Sequence, residues 1–203
     1  RRPTVVRLGE VDFEDFDDGT AFDFPIDDIT VHPGYNHFEK YNDIAIITLR
    51  HRIKFGEIES QPFCLPDRGL NLFDGRRCTF SGWGRRQANA PASTILHQIE
   101  VEIVDSGVCG NNYVRDGANL PLFTTQYPRG IDATIICAGR IADSCRGDSG
   151  GPLLLRDDET GNKPWNIGIV SSGYGCGDAN FPGLYTKVDQ YLDWIREQTD
   201  GRC

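Results

Sequence analysis

Asp143-Ser144-Cys145-Arg146-Gly147-Asp148-Ser149-Gly150-Gly151-Pro152 is the stretch on which the reading of this 203-residue chain turns. It sets a serine among glycines. A serine hydroxyl is a poor nucleophile until a base takes its proton and N–H donors await the oxyanion that forms. Gly147 lets the backbone turn tightly and present its N–H beside that of Ser149, while Gly150 and Gly151 leave room for a substrate. Gly-Asp-Ser-Gly alone is compatible with an ordinary turn. The whole run, and the order of motifs around it, is far more specific.

Working outward, short apolar runs recur between turn signals. Thr4-Val5-Val6-Arg7-Leu8, Asp43-Ile44-Ala45-Ile46-Ile47-Thr48-Leu49 and Ile167-Gly168-Ile169-Val170-Ser171 have the length and β-branched content of strands. Ile99-Glu100-Val101-Glu102-Ile103 alternates as a strand with one wet face does. Val188, Tyr191, Leu192 and Ile195 form one helical stripe near the end, the only convincing helix in the chain. Many strands and one late helix predict an all-β barrel or sandwich. Residues 85–93 are polar, contain Pro91, and are expected to connect two halves.

The composition narrows function. A formal net charge of −9 argues against a nucleic-acid partner, which needs a basic footprint. No run approaches the ~18 apolar residues of a membrane span, so no membrane association is expected. Seven cysteines suit an oxidising compartment, and their odd number leaves at least one without a partner in this chain. The acidic stretch from Glu10 to Asp28 reads as a solvated loop. Its alternative is a Ca²⁺ loop near Glu10, without the spacing of an EF-hand.

The motifs, taken in order, resemble the trypsin/chymotrypsin family of serine proteases over nearly the whole chain. Asn42-Asp43-Ile44-Ala45 resembles the segment of the triad aspartate. Ser81-Gly82-Trp83-Gly84, Ile136-Cys137-Ala138-Gly139 and Pro182-Gly183-Leu184-Tyr185-Thr186-Lys187-Val188 are further landmarks. The resemblance implies two antiparallel β-barrels with the active site between them: about 1–84 a partial N-terminal barrel, about 93–203 the C-terminal barrel with its closing helix. It implies catalytic Asp43 and Ser149, and an oxyanion hole from the N–H groups of Gly147 and Ser149. Asp148 is implied as the partner of an activating N-terminus, and Cys109–Cys137 and Cys145–Cys176 as disulfides. A subtilisin-like order of Asp43, His97 and Ser149 is rejected, because Leu96-His97-Gln98-Ile99 reads as strand and lacks flanking glycine.

By the same resemblance, Asp143 lies at the base of the pocket for the residue before the scissile bond, with Ser144, Ser171, Gly173 and Gly183 around it. A carboxylate in a narrow slot favours Arg or Lys, so cleavage after Arg or Lys in protein substrates is expected. Ser172 stands where the family usually has tryptophan, and Arg146 where it often has glutamine. Cys78 matches half of a third disulfide whose other half is here Leu155. Cys64 resembles the cysteine that tethers the peptidase domain to a propeptide chain, and the details resemble arthropod clip-domain proteases. These are secreted zymogens of immune and clotting cascades.

None of the four histidines, His32, His37, His51 and His97, lies in an Ala-Ala-His-Cys setting. The chain also lacks methionine. Both facts lead to the expectation that these residues begin just after the catalytic histidine, that the first barrel lacks its opening strands, and that this portion alone is inactive. The competing expectation is a catalytically inactive homologue serving as a binding or cofactor module.

Overall fold

The computed structural model describes residues 2–15, 21–58, 60–87, 89–115, 120–139, 145–156, 164–176, 178 and 180–201. Among them, strands dominate. β1 (Val5–Leu8), β2 (Phe22–Val31) and β3 (Ala45–Leu49) form a three-stranded antiparallel sheet with β2 in the middle. β4 (Arg77–Gly82), β5 (His97–Val104), β6 (Ile135–Gly139), β7 (Pro152–Leu155), β8 (Trp165–Ser172) and β9 (Gly183–Lys187) close into a barrel in the order β4-β5-β6-β9-β8-β7.

The barrel interior is filled from every wall. Phe80, Val101, Ile103, Ile136, Leu153, Leu155, Ile167 and Tyr185 form one buried cluster. Each such Leu, Ile or Val removed from water contributes about 1.5–3 kcal/mol before chain entropy is set against it. In β5 the alternation works as expected: Val101 and Ile103 are buried while Glu100 is exposed. All four residues of the late stripe, Val188, Tyr191, Leu192 and Ile195, are buried, although a 3₁₀ turn (Val188–Tyr191) carries the first two before the helix (Leu192–Gln198) begins.

Three expectations need correction. Two further helices exist: α1 (Ser106–Arg115) and α2 (Leu120–Gln126), which makes the closing helix α3. The interior of α1 holds two glycines and two asparagines, poor helix formers, which masked it. Asp105 compensates by capping, its Oδ1 accepting the N–H groups of Gly107 (2.9 Å) and Val108 (3.0 Å). Second, β4 belongs to the closed barrel, so residues 85–93 connect two neighbouring strands of that barrel. The passage between the two sheets lies instead in residues 50–76, and the division near residue 84 is wrong. Polarity marked a turn correctly but could not say which turn. Third, residues 22–28 of the acidic stretch are strand. There Asp23 meets Arg7 across the β1–β2 pair (2.7 Å), and the register shifts between Ile26 and Asp28, beside Pro25, which has no N–H to give the ladder.

Candidate active site

The segment that carries Asp43 is mounted on the barrel. Asn42 takes a left-handed backbone (φ 55°), which asparagine tolerates better than most residues. Its side chain donates to the Gly34 carbonyl (2.9 Å) and accepts from the Tyr191 hydroxyl (3.1 Å). Ile44 is buried against Val188, Tyr191 and Ile195. Between them, the Asp43 carbonyl accepts the Thr186 hydroxyl (2.8 Å), and its carboxylate accepts the Ser171 hydroxyl (2.6 Å). Sequence reading placed Ser171 in the pocket around Asp143. Its hydroxyl bonds the Asp43 carboxylate, beside a register shift between Val170 and Ser172, and Asp143 itself lies outside the described residues.

Ser149 is exposed at the tip of a turn fixed on both sides. Gly151 N–H closes the turn on the Asp148 carbonyl (2.8 Å), while Gly150 N–H reaches the Val170 carbonyl and Val170 N–H the Gly151 carbonyl (2.9 Å each). Gly147 has φ 105°, and a Cβ there would press on Gly84 Cα at 3.1 Å, so only glycine fits. Among the described residues, the N–H groups of Gly147 and Ser149 have no hydrogen-bond partner. Asp148 is buried, its carboxylate accepting Gly84 N–H (2.7 Å) and Cys145 N–H (3.0 Å). Gly82 and Gly84 must lack a Cβ, which would collide with that carboxylate.

Asp43 and Ser149 line one cleft of about 620 Å³, open between the three-stranded sheet and the barrel. Ile44, Ala45, Ile169, Val170 and Tyr35 also line it. Burial, and then the Asp43 carboxylate, raise the Tyr35 phenol above its usual range. No imidazole is among the lining residues. His32 packs edge-on against Tyr191 (5.3 Å) and Trp194 (5.0 Å), where burial lowers its pKa, and His97 opens β5 opposite Gly82.

Asp143 and Ser144 lie outside the described residues. Gly173 follows β8 and is exposed, and Gly183 begins β9 and is buried. Both expected disulfides form, Cys109–Cys137 tying α1 to β6 and Cys145–Cys176 tying the serine loop to the segment after β8. Cys64 and Cys78 are free thiols, and Cys203 lies outside the described residues. Burial pushes the Cys78 thiol up to about 12, which leaves it protonated and inert. Cys64 is half-buried, strapped along the start of β8 by hydrogen bonds with Pro164 and Asn166. Near Glu10, the carboxylate accepts from Arg7 (3.3 Å) and from Val11 N–H (3.1 Å). Among the described residues, no group of three or more His, Cys, Asp or Glu side chains could hold a metal ion. No helix there is long and apolar enough to cross a membrane.

Thr186, Tyr191 and Tyr127 are the site's supporting residues that sequence reasoning passed over. Thr186 lay within a quoted landmark and Tyr191 in the helical stripe, neither with a role at the site. Tyr127 had no signal at all.

A glycine-cradled serine and an aspartate bonded to a closed antiparallel barrel line one cleft. The family model described as Trypsin matches residues 2–195, and the chain belongs to the trypsin family. It is 37% identical over 213 residues to melanization protease 1 of Drosophila melanogaster, covering 95% of this chain and 50% of that protein. It is 32% identical over 203 residues to the clotting factor G beta subunit of Tachypleus tridentatus, covering 97% and 62%. Transmembrane protease serine 11G of Mus musculus is 36% identical over 177 residues, covering 86% and 39%. The chain thus spans between 39% and 62% of the length of these relatives.

Proposed function

We propose that these residues form most of the peptidase domain of a secreted trypsin-like serine endopeptidase, cleaving after Arg or Lys within a clotting or immune cascade. The observation that carries this reading is the cleft that Ser149 and Asp43 both line, with Asp43 held by Ser171 and Thr186. Ser149 is the nucleophile, and the unpartnered N–H groups of Gly147 and Ser149 receive the oxyanion. Asp43 orients a base and stabilises it once protonated. No imidazole is among the described residues lining the cleft, which supports a base supplied from outside these residues. Asp148 is the partner of the ammonium freed on activation, and Asp143 selects a basic side chain. Names of relatives that mention clotting and melanization support the cascade setting. A half-buried free Cys64 supports a disulfide to a propeptide chain.

The missing imidazole also favours a second reading, an inactive homologue that binds rather than cuts. Fluorophosphonate labelling of the whole, activated protein separates the two. Labelling lost in Ser149→Ala supports the protease, whereas no labelling of the wild type supports the binding module. A peptide panel preferring aromatic residues before the scissile bond would overturn the Arg/Lys assignment.

A further inference from the structure

Consecutive side chains of a regular strand point to opposite faces. Ser171 and Ser172 end β8 beside a register shift between Val170 and Ser172. Ser171 gives its hydroxyl to Asp43, and Tyr127 meets that of Ser172. The Tyr127 hydroxyl lies 2.5 Å from Ser172 Oγ, next in the chain to Ser171, whose hydroxyl donates to Asp43. Tyr127 is buried, with its ring edge-on to Tyr41 at 5.5 Å, two residues before Asp43. The segment is clamped at two further points. Lys40 N–H donates to the Gln126 carbonyl (2.9 Å), and the Tyr41 hydroxyl donates to the Gly130 carbonyl (2.8 Å) while accepting Arg129 N–H (2.9 Å). One residue therefore touches both the strand end that bonds Asp43 and the segment that carries it.

We infer that Tyr127, delivered by the α2 segment, is a positioning residue for Asp43: its hydroxyl fixes the Ser171–Ser172 end of β8 so that Ser171 holds the carboxylate. This rests on the reading of Asp43 and Ser149 as catalytic. Ser172 is small, which lets Tyr127 close on it from the barrel side. The aromatic contacts with Tyr41 and Phe123 (5.5 Å each) keep the ring from rotating away.

The test uses the whole activated protein, with rates normalised to titrated active sites. Tyr127→Phe keeps the ring and removes the hydroxyl. It should lower kcat about 10-fold with KM within twofold, and Ser172→Ala should do the same. Ser172→Thr, which retains a hydroxyl, should stay within threefold of wild type. Combining Tyr127→Phe with Ser172→Ala should cost no more than either alone. Amide exchange in residues 40–45 should quicken at least fivefold in Tyr127→Phe while β7 exchanges as before. Unchanged kcat per site, or full additivity of the two variants, overturns the inference. If the protein shows no Ser149-dependent turnover, the catalytic reading fails, and amide exchange alone then decides the Tyr127 link: unaltered exchange in residues 40–45 refutes it.

Discussion

The barrel and the three-stranded sheet draw on the same kinds of residue and treat them oppositely. Leu153 and Val101 in the barrel are wholly buried, while Val31 and Ile47 in the sheet are 50% and 45% exposed. Closure makes the difference. Six strands that return to their starting edge enclose a core, whereas among the described residues β1 and β3 each pair on one edge only. The sheet is held by its seams. Residues 11–13 pair with 94–96, the Trp83 indole donates to the Val11 carbonyl (3.2 Å), and Ile44 plugs into the C-terminal helix. The site's two halves accordingly rest on unequal ground, with Ser149 in the turn before β7 and Asp43 in the segment that leads into β3, bonded to the barrel.

The largest effect should come from cutting the chemistry at that seam. Asp43→Asn is expected to lower kcat of the whole enzyme by about 10⁴ with modest change in KM, read by steady-state kinetics. An effect under tenfold would mean the sheet's half of the site is not the working half. Next, core truncation should separate the two regions. Leu153→Ala should cost about 2–5 kcal/mol in urea unfolding, and Ile47→Ala under about 1 kcal/mol, since half its side chain already meets water. Equal losses would show that something covers the sheet. Thr186→Val removes one of the bonds across the seam and should cost about 1 kcal/mol while leaving the barrel's disulfides and fold intact.

The two regions should also respond to opposite ends of the pH scale. In the barrel half, Cys78 (ordinary value 9.0) and Tyr127 (10.0) are both raised to about 12 by burial. Below about pH 9 both stay protonated, folded or unfolded, and their contribution is complete. Between there and about 12 the unfolded chain loses these protons first, so stability falls as pH rises. At the seam, burial lowers His32 below its ordinary 6.5. The unfolded chain then takes up the proton first as pH falls below 6.5, and stability is lost on the acid side. Cys78→Ala and His32→Phe should each flatten one limb of a pH-stability curve and spare the other. A single limb moved by both would contradict the division.

Sequence reading reached the parts whose physics is local. A serine among glycines, the alternation of β5 and the stripe of the last helix are each visible within ten residues, because backbone freedom and periodicity are local properties. What escaped depends on distant partners. α1 is stabilised by the Asp105 cap and by the Cys109–Cys137 disulfide, against its own propensity. The division between the sheets was misjudged because a polar loop looks the same inside a barrel as between two of them. The bond from Ser171 to Asp43 lies beside a register shift that no pattern of hydrophobicity announces.

The bonds that hold Asp43 span 128 residues to Ser171 and 143 to Thr186. During synthesis at about 5–20 residues per second, the aspartate therefore emerges roughly 7–30 seconds before the last of these partners is made. A nascent chain truncated before the end of β8 lacks the hydroxyl that fixes the carboxylate, and one truncated before β9 still lacks the Thr186 bond to the Asp43 carbonyl. The order of synthesis thus sets the order of assembly: the centre comes together only once the barrel's last strands have been translated.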